Sequence, residues 1–203
     1  MKNVDYESVV ADPYSRGAYL RSDFPGFRED YLVLHCLIRK HDPQTFMEIG
    51  TSSGLGTLVI CKAMRISRLW MNKRKVYSID VLPGTDPTIL YPGGEDGHPA
   101  RGGERCTCPY VQLFGDSYTF NFVPYYPLEG WFIDGKHSYD YVVHDTQSAL
   151  EASPTLIVWH DMQIEQVERA VVDVMSEYLQ SYSLCRAVST RMAFASRKQD
   201  RDG

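Results

Sequence analysis

Apolar residues follow two periods along this chain, and the alternation between them predicts its architecture. From Arg28 to His41, "REDYLVLHCLIRKH" places apolar residues on one helical face, and the "DPQ" after it ends the helix. "TFMEIG" (45–50) then reads as a short strand, "LGTLVICKAMRIS" (55–67) as a helix and "KVYSID" (75–80) as a second strand. "YVQLFG", "GWFID" and "TLIVWHD" are further strands, with "YDYVVHDTQSALEA" (139–152) as a helix between the last two. An amphipathic segment, "IEQVERAVVDVMSEYLQ" (164–180), precedes "YSLCRAVS" and "RMAFASR", two runs close enough to pair as an antiparallel hairpin. Strands alternating with helices imply right-handed crossovers, hence a doubly wound α/β domain with a mainly parallel sheet covered on both faces.

Length and composition narrow this picture only slightly. The 203 residues suit one domain over 1–203, with 1–45 as an N-terminal helical cap and 81–110 as a long insertion between strands. Such a loop in a compact domain reads as a lid or a substrate flap. A net charge of -5 gives no electrostatic footprint for nucleic acid, and the basic run "RLWMNKRK" reads as a solvated face. No apolar run is long enough to cross a bilayer and the N-terminus lacks a signal-like core, so no membrane association and a cytoplasmic location are expected. The odd count of five cysteines argues against a complete disulfide framework. Cys106 and Cys108 form a C-x-C near His98, a weak metal pattern without a fourth ligand.

The candidate chemistry sits where strands end. "GWFIDGKHSYDYVVHD" and "TLIVWHDM" both run from apolar residues straight into ionisable ones, at the carboxyl ends where doubly wound sheets bind ligands. "EIGTSSGLGT" (48–57) is a glycine-rich turn from strand to helix, yet it lacks the full G-x-G-x-x-G fingerprint because Ser52 holds the second position. Glu48 before the first glycine and Asp80 at the end of the next strand suit a ligand offering hydroxyls and an amine, since carboxylates would repel a diphosphate.

These residues resemble a known family. "FMEIGTSSGLGTL" is similar to the first motif of class I S-adenosylmethionine-dependent methyltransferases. "FIDGKHSYDYVVHD" with "LIVWHD" resembles methyltransferase family 24, which is similar to macrocin-type sugar O-methyltransferases and to the cephalosporin hydroxylase relatives. The resemblance runs from Phe46 to Met162 and implies a Rossmann-like, seven-stranded, mainly parallel sheet with an antiparallel C-terminal strand. It further implies S-adenosylmethionine as cofactor, with Glu48, Gly50, Ser52 and Gly54 around its methionine part. Asp80 would meet the ribose hydroxyls, Asp116 and Ser117 the adenine, and Ser53, Val81, Gly115 and Asp134 are further cofactor-binding residues. Asp80 and Asp116 also read simply as helix caps.

The same resemblance places Asp134, His160 and Asp161 where metal-dependent members hold a divalent ion. His160 replaces an oxygen ligand there and favours manganese, iron or zinc over magnesium. A strand-end hydrogen-bonded pair of His160 and Asp161 without any ion is the competing reading. His137, three residues after Asp134, stands where a general base stands in similar enzymes, with Lys136 as the alternative base. Tyr139 and Asp145 read as positioning groups and His144 as a surface residue. The expected activity is methyl transfer to a small hydroxylated acceptor, with no nucleic-acid partner. A homodimer stays open, and hydroxylase-like chemistry or non-catalytic binding of the cofactor are the alternatives.

Overall fold

The computed structural model describes residues 1–10, 27–52, 54–65, 74–81, 99–100, 104–105 and 110–198. Ser53, the His98, Cys106 and Cys108 group, and nearly all of the expected 81–110 lid lie outside the described residues, as does the whole segment 11–26.

Strands β1 (Lys2–Val4), β2 (Thr45–Ile49), β3 (Lys75–Asp80), β6 (Val111–Phe114), β7 (Gly130–Ile133), β8 (Leu156–Trp159), β9 (Tyr182–Ala187) and β10 (Ala193–Arg197) build one sheet. Its order is β1-β9-β10-β8-β7-β2-β3-β6. A separate ribbon pairs β4 (Pro99–Ala100) with β5 (Glu104–Arg105). β2 lies between β3 and β7, parallel to both, and β7 is parallel to β8. β10 alone runs against its neighbours, pairing antiparallel with β8 and β9. This is the expected doubly wound sheet with its reversed C-terminal strand, and the expected hairpin. It carries one strand more than the seven expected: β1, three residues long, pairs parallel with β9 at the edge.

Period-two alternation explains how both faces are filled. Phe46, Phe132, Leu156 and Val158 point to one side, where they meet buried residues of α2 (Phe27–His41) and α3 (Leu55–Ala63) such as Leu34, Ile38 and Ile60. Met47, Ile49, Trp131, Ile133, Ile157 and Trp159 point to the other. There they pack with Ala149 and Leu150 of α4 (Tyr139–Glu151) and Val167, Ala170 and Val171 of α5 (Glu165–Ser176). The short α1 (Tyr6–Val9) precedes α2. The indole of Trp159 donates to Thr146 Oγ1 on α4 at 3.0 Å, so the largest buried side chain of β8 is anchored at its polar atom as well.

β7 begins with glycine for a packing reason. A Cβ at Gly130 would lie 2.3 Å from the ring of Phe46 on β2, and that ring is fully buried. Gly130→Ala is expected to lower the unfolding free energy by roughly 1–3 kcal/mol, the usual cost of overpacking a filled core. Thermal and urea denaturation of the variant against the parent protein measure it directly.

Candidate functional site

The carboxyl ends of the central strands surround a cavity of about 520 Å³. Its walls come from the turn after β2 (Ile49, Gly50, Ser52), the end of β3 (Ile79, Asp80, Val81) and the turn after β6 (Gly115, Asp116, Ser117). The loop after β7 (Asp134, Gly135, Lys136, His137) and Tyr141 on α4 complete it. Most of the expected binding residues therefore converge on one space.

Backbone geometry shapes the β2 turn. Gly50 has φ +96°, and a Cβ there would sit 2.1 Å from the Asp134 carbonyl oxygen, so only glycine fits between the two strand ends. Its N–H donates to Ile79 O and Asp134 N–H donates to Ile49 O, each at 2.9 Å, extending the ladder past the strands. Asp80 then clamps the turn: its Oδ2 accepts the N–H of Ser52 at 2.7 Å. Ser52 itself takes a left-handed φ of 44°.

Two expected residues stand apart from the cavity wall. Gly54 serves instead as the left-handed N-cap of α3, with φ 76°. Glu48 is corrected more sharply, because β2 alternation turns its side chain into the core below α3, where it is 1% exposed. Its Oε2 accepts hydroxyl protons from Thr57 and, at 2.5 Å, from Ser78, which in turn contacts Thr51 Oγ1 at 2.6 Å. Gln112 Nε2 donates to Thr51 Oγ1 at 3.0 Å. Burial pushes the Glu48 carboxyl up to about 8, against the pull of its hydroxyl donors. Glu48 thus braces the floor of the turn as a neutral acid near pH 7.

Asp116 lines the cavity and also braces its own turn. Its Oδ1 accepts the N–H of Tyr118 at 3.0 Å, a local cap, while Oδ2 accepts the Tyr141 hydroxyl at 2.9 Å at the cavity wall. Lys136, the alternative base, is exposed with its Nζ 4.1 Å above the Tyr141 ring. His144 is half-buried rather than a plain surface residue, stacked on Tyr118 at 4.7 Å between ring centroids. Tyr139 does not serve the site: its hydroxyl donates to Asp173 on α5 at 2.9 Å. Asp145 is fully buried behind Gly135, and burial raises its carboxyl to about 6.

The ionisable cluster forms at the ends of β7 and β8. His137 Nε2 lies 3.2 Å from Asp161 Oδ2 and 3.7 Å from Asp134 Oδ1. The Asp134 carboxylate, the largest influence, raises the His137 imidazole above its usual value; burial opposes this and Asp161 reinforces it. Behind them, His160 is buried with Nδ1 3.2 Å from Asp134 Oδ1 and 3.3 Å from Asp161 Oδ1, while Nε2 lies 3.1 Å from Asp30 Oδ2. Burial alone would lower His160, but the carboxylates outweigh it and hold the ring as a cation up to about 11. Asp161 is correspondingly held below the usual carboxylate range: burial, which would raise it, is outweighed by His160 and Gln163.

His160 has a carboxylate facing each ring nitrogen, Asp134 and Asp161 at Nδ1 and Asp30 at Nε2, so the three residues of the expected metal set do meet, in the contact pattern of the strand-end pair. Among the described residues, the group whose donor atoms lie within 4.8 Å of one another is Asp134, His137 and Asp161. Asp30 and Arg191 also belong to the cluster, although no sequence motif singled them out; Arg191 Nη1 lies 3.5 Å from Asp161 Oδ1. A charged residue on the apolar face of "REDYLVLHCLIRKH" was the one available sign of Asp30.

Comparison with known proteins follows the same span. The model of the family described as "Methyltransferase domain" matches residues 47–162. No curated protein sequence matches the chain. An O-methyltransferase from Bacillus cereus, in complex with SAH, superposes with a TM-score of 0.58 at 12% identity, over 95% of this chain and 90% of that one. The O-methyltransferase TomG from Streptomyces achromogenes, in complex with SAM, gives 0.57 at 14% identity, over 98% and 92%. The MycE methyltransferase of the mycinamycin biosynthetic pathway, in complex with Mg, SAH and mycinamycin VI, gives 0.57 at 15% identity, over 99% of this chain and 57% of that one. At these identities the likeness is one of fold. No helix among the described residues is long and apolar enough to cross a membrane.

The Glu48 assignment has a measurable consequence. A carboxyl raised from 4.5 to about 8 on folding binds its proton more tightly in the folded state. Its contribution to stability is therefore lost as pH rises through that window. Glu48→Gln is expected to lose less stability than the parent protein between pH 5 and pH 8, which melting curves across that range test. An identical pH trend in both proteins would contradict a neutral Glu48.

Proposed function

The chain belongs to the methyltransferase domain family, and from that premise we propose that it moves the methyl group of S-adenosylmethionine to a hydroxyl oxygen of a small acceptor. We propose too that residues 1–203 act as one domain in this. The observation that carries the reading is the convergence of Gly50, Asp80, Asp116, Ser117, Asp134 and His137 on one cavity at the strand ends. A nucleoside with a methionine tail suits these walls: Asp80 offers a carboxylate to ribose hydroxyls. The exposed Val81 offers an apolar face, and the Gly115–Ser117 turn offers backbone to a purine edge.

Bound S-adenosylmethionine supplies an electrophilic methyl group on sulfur, and the protein's own work is alignment and proton removal. His137 is the group to take the acceptor proton, since it lines the cavity and its buried Nε2 lies beside Asp161 and Asp134. The new O–C bond forms as the S–C bond breaks, and the proton goes to His137, whose resulting charge the two carboxylates stabilise. Asp134, His137 and Asp161 also have the donor spacing and the mixed oxygen and nitrogen chemistry to hold a divalent ion, which when bound lowers the pKa of a hydroxyl. In that case His137 is a ligand and cannot be the base, so the two uses exclude each other.

Calorimetric titration with S-adenosylmethionine and S-adenosylhomocysteine, with EDTA or with manganese, tests the reading; absence of binding in all conditions would refute it. Asp80→Asn is expected to weaken binding by about tenfold, the scale of a lost charge-assisted hydrogen bond. His137→Ala should leave binding unchanged while methyl transfer to phenolic or sugar hydroxyls falls by roughly a hundredfold or more. Because Asp134 keeps His137 protonated to higher pH, the rate should climb with pH through a limb lying above pH 6.5. In EDTA that limb survives if His137 is the base.

A further inference from the structure

Asp30 lies on α2, 130 residues before His160 and 161 before Arg191, yet it is fully buried against both. Its Oδ1 accepts the backbone N–H of Arg191 at 2.9 Å. Its Oδ2 accepts Arg191 Nε at 2.8 Å and Nη2 at 2.5 Å, and lies 3.1 Å from His160 Nε2. Four donors thus meet this carboxylate, three of them at Oδ2. The Oδ2 contact fixes which edge of the imidazole faces α2. With Nε2 committed to Asp30, Nδ1 must face the opposite side, where it reaches Asp134 and Asp161. Tyr31, the next residue on α2, lies parallel to the ring at 6.4 Å, and Phe132 meets it edge-on at 6.2 Å, so aromatic rings flank it on two sides.

The geometry points to Asp30 and Arg191 as positioning residues for methyl transfer: together they hold the His160 ring so that its Nδ1 spaces Asp134 and Asp161, and through Asp161 they place His137. The role in transfer rests on the function proposed above, whereas the placement itself does not. If the pair only tied α2 to the β9–β10 turn, Arg191 would satisfy Asp30 alone. The third contact, to a histidine whose other nitrogen faces the site, is what such a tie does not need. Arg191 also reaches Asp161 directly, so the clamp touches the site at two points.

The test is nitrogen-15 NMR of the histidine rings in the parent protein, Asp30→Asn and Arg191→Gln, with His160→Gln for assignment, beside titration of each protein with S-adenosylhomocysteine. Asp30→Asn and Arg191→Gln are expected to shift the ring resonances of both His160 and His137, while affinity for S-adenosylhomocysteine stays at the parent value. Unchanged His137 resonances in the folded variants would overturn the proposal. Should the buried Asp30→Asn fail to fold, Arg191→Gln decides, because Arg191 is part-exposed on a turn. Failure of both to fold would also overturn it, by showing the clamp to be part of the fold and not of the site. If the parent protein does not bind S-adenosylhomocysteine, the methyltransferase reading falls and the NMR result still decides the placement.

Discussion

Two carboxylates at the ends of neighbouring parallel strands repel each other unless a cation lies between them, and this site is organised around that requirement. Asp134 and Asp161 each bring an oxygen to within 3.3 Å of His160 Nδ1, at a depth where the ring is almost wholly screened from solvent. A buried imidazolium is itself costly and persists only when its other nitrogen is also paired. Asp30 provides that pairing, and Arg191 balances Asp30. The chain of charge therefore runs from the β9–β10 turn through α2 to the strand ends, and ends at His137. Helix α2 is in this sense part of the site, although none of its described residues is in the cavity wall.

The other half of the cavity depends on backbone instead of charge. Gly50 lets the β2 turn close against the Asp134 carbonyl, and Asp80 holds that turn by the Ser52 amide. Underneath, the Glu48, Thr57, Ser78 and Thr51 network fills the space between turn and helix with hydrogen bonds in place of apolar packing. Directional bonds fix the height of a loop more closely than methyl groups do, since each has a preferred length and angle. The cavity thus has one wall set by an ion-pair chain and one set by a buried polar floor.

Much of this was legible in the sequence, and what was not has physical reasons. Alternation of period two and period 3.6 identified the central strands and helices because each strand is buried on both faces and each helix on one. β1 escaped notice because three residues are too few to show a period. Gly50, Asp80, Asp116 and Asp134 were found because turn chemistry is local and the motif order fixes which strand end each belongs to. Glu48 was misplaced by proximity to the glycine turn; its parity with Phe46 on the same strand assigns it to the α3 face. Asp30 and Arg191 were missed because their contacts span 130 and 161 residues, and no local pattern records a pairing of that range. The contact of His160 with Asp30 was hidden for the same reason.

The charge count of the finished cluster bears on what it can do. Asp30, Asp134 and Asp161 bring three negative charges, and His160 and Arg191 bring two positive ones. With His137 neutral the group is left one negative charge in excess, beside a cavity and partly shielded from water. Either a proton on His137 or a cation held with it removes that excess. Such a site accepts a proton more readily than an isolated imidazole does, because protonation neutralises the cluster where it would otherwise create a lone charge. The same excess favours a divalent ion as well, and Asp161 meets His160 through Oδ1 and His137 through Oδ2, so its two oxygens serve the two rings separately. Proton acceptance and metal binding at His137 therefore draw on the same excess charge in the resting geometry of the cluster, and one excludes the other.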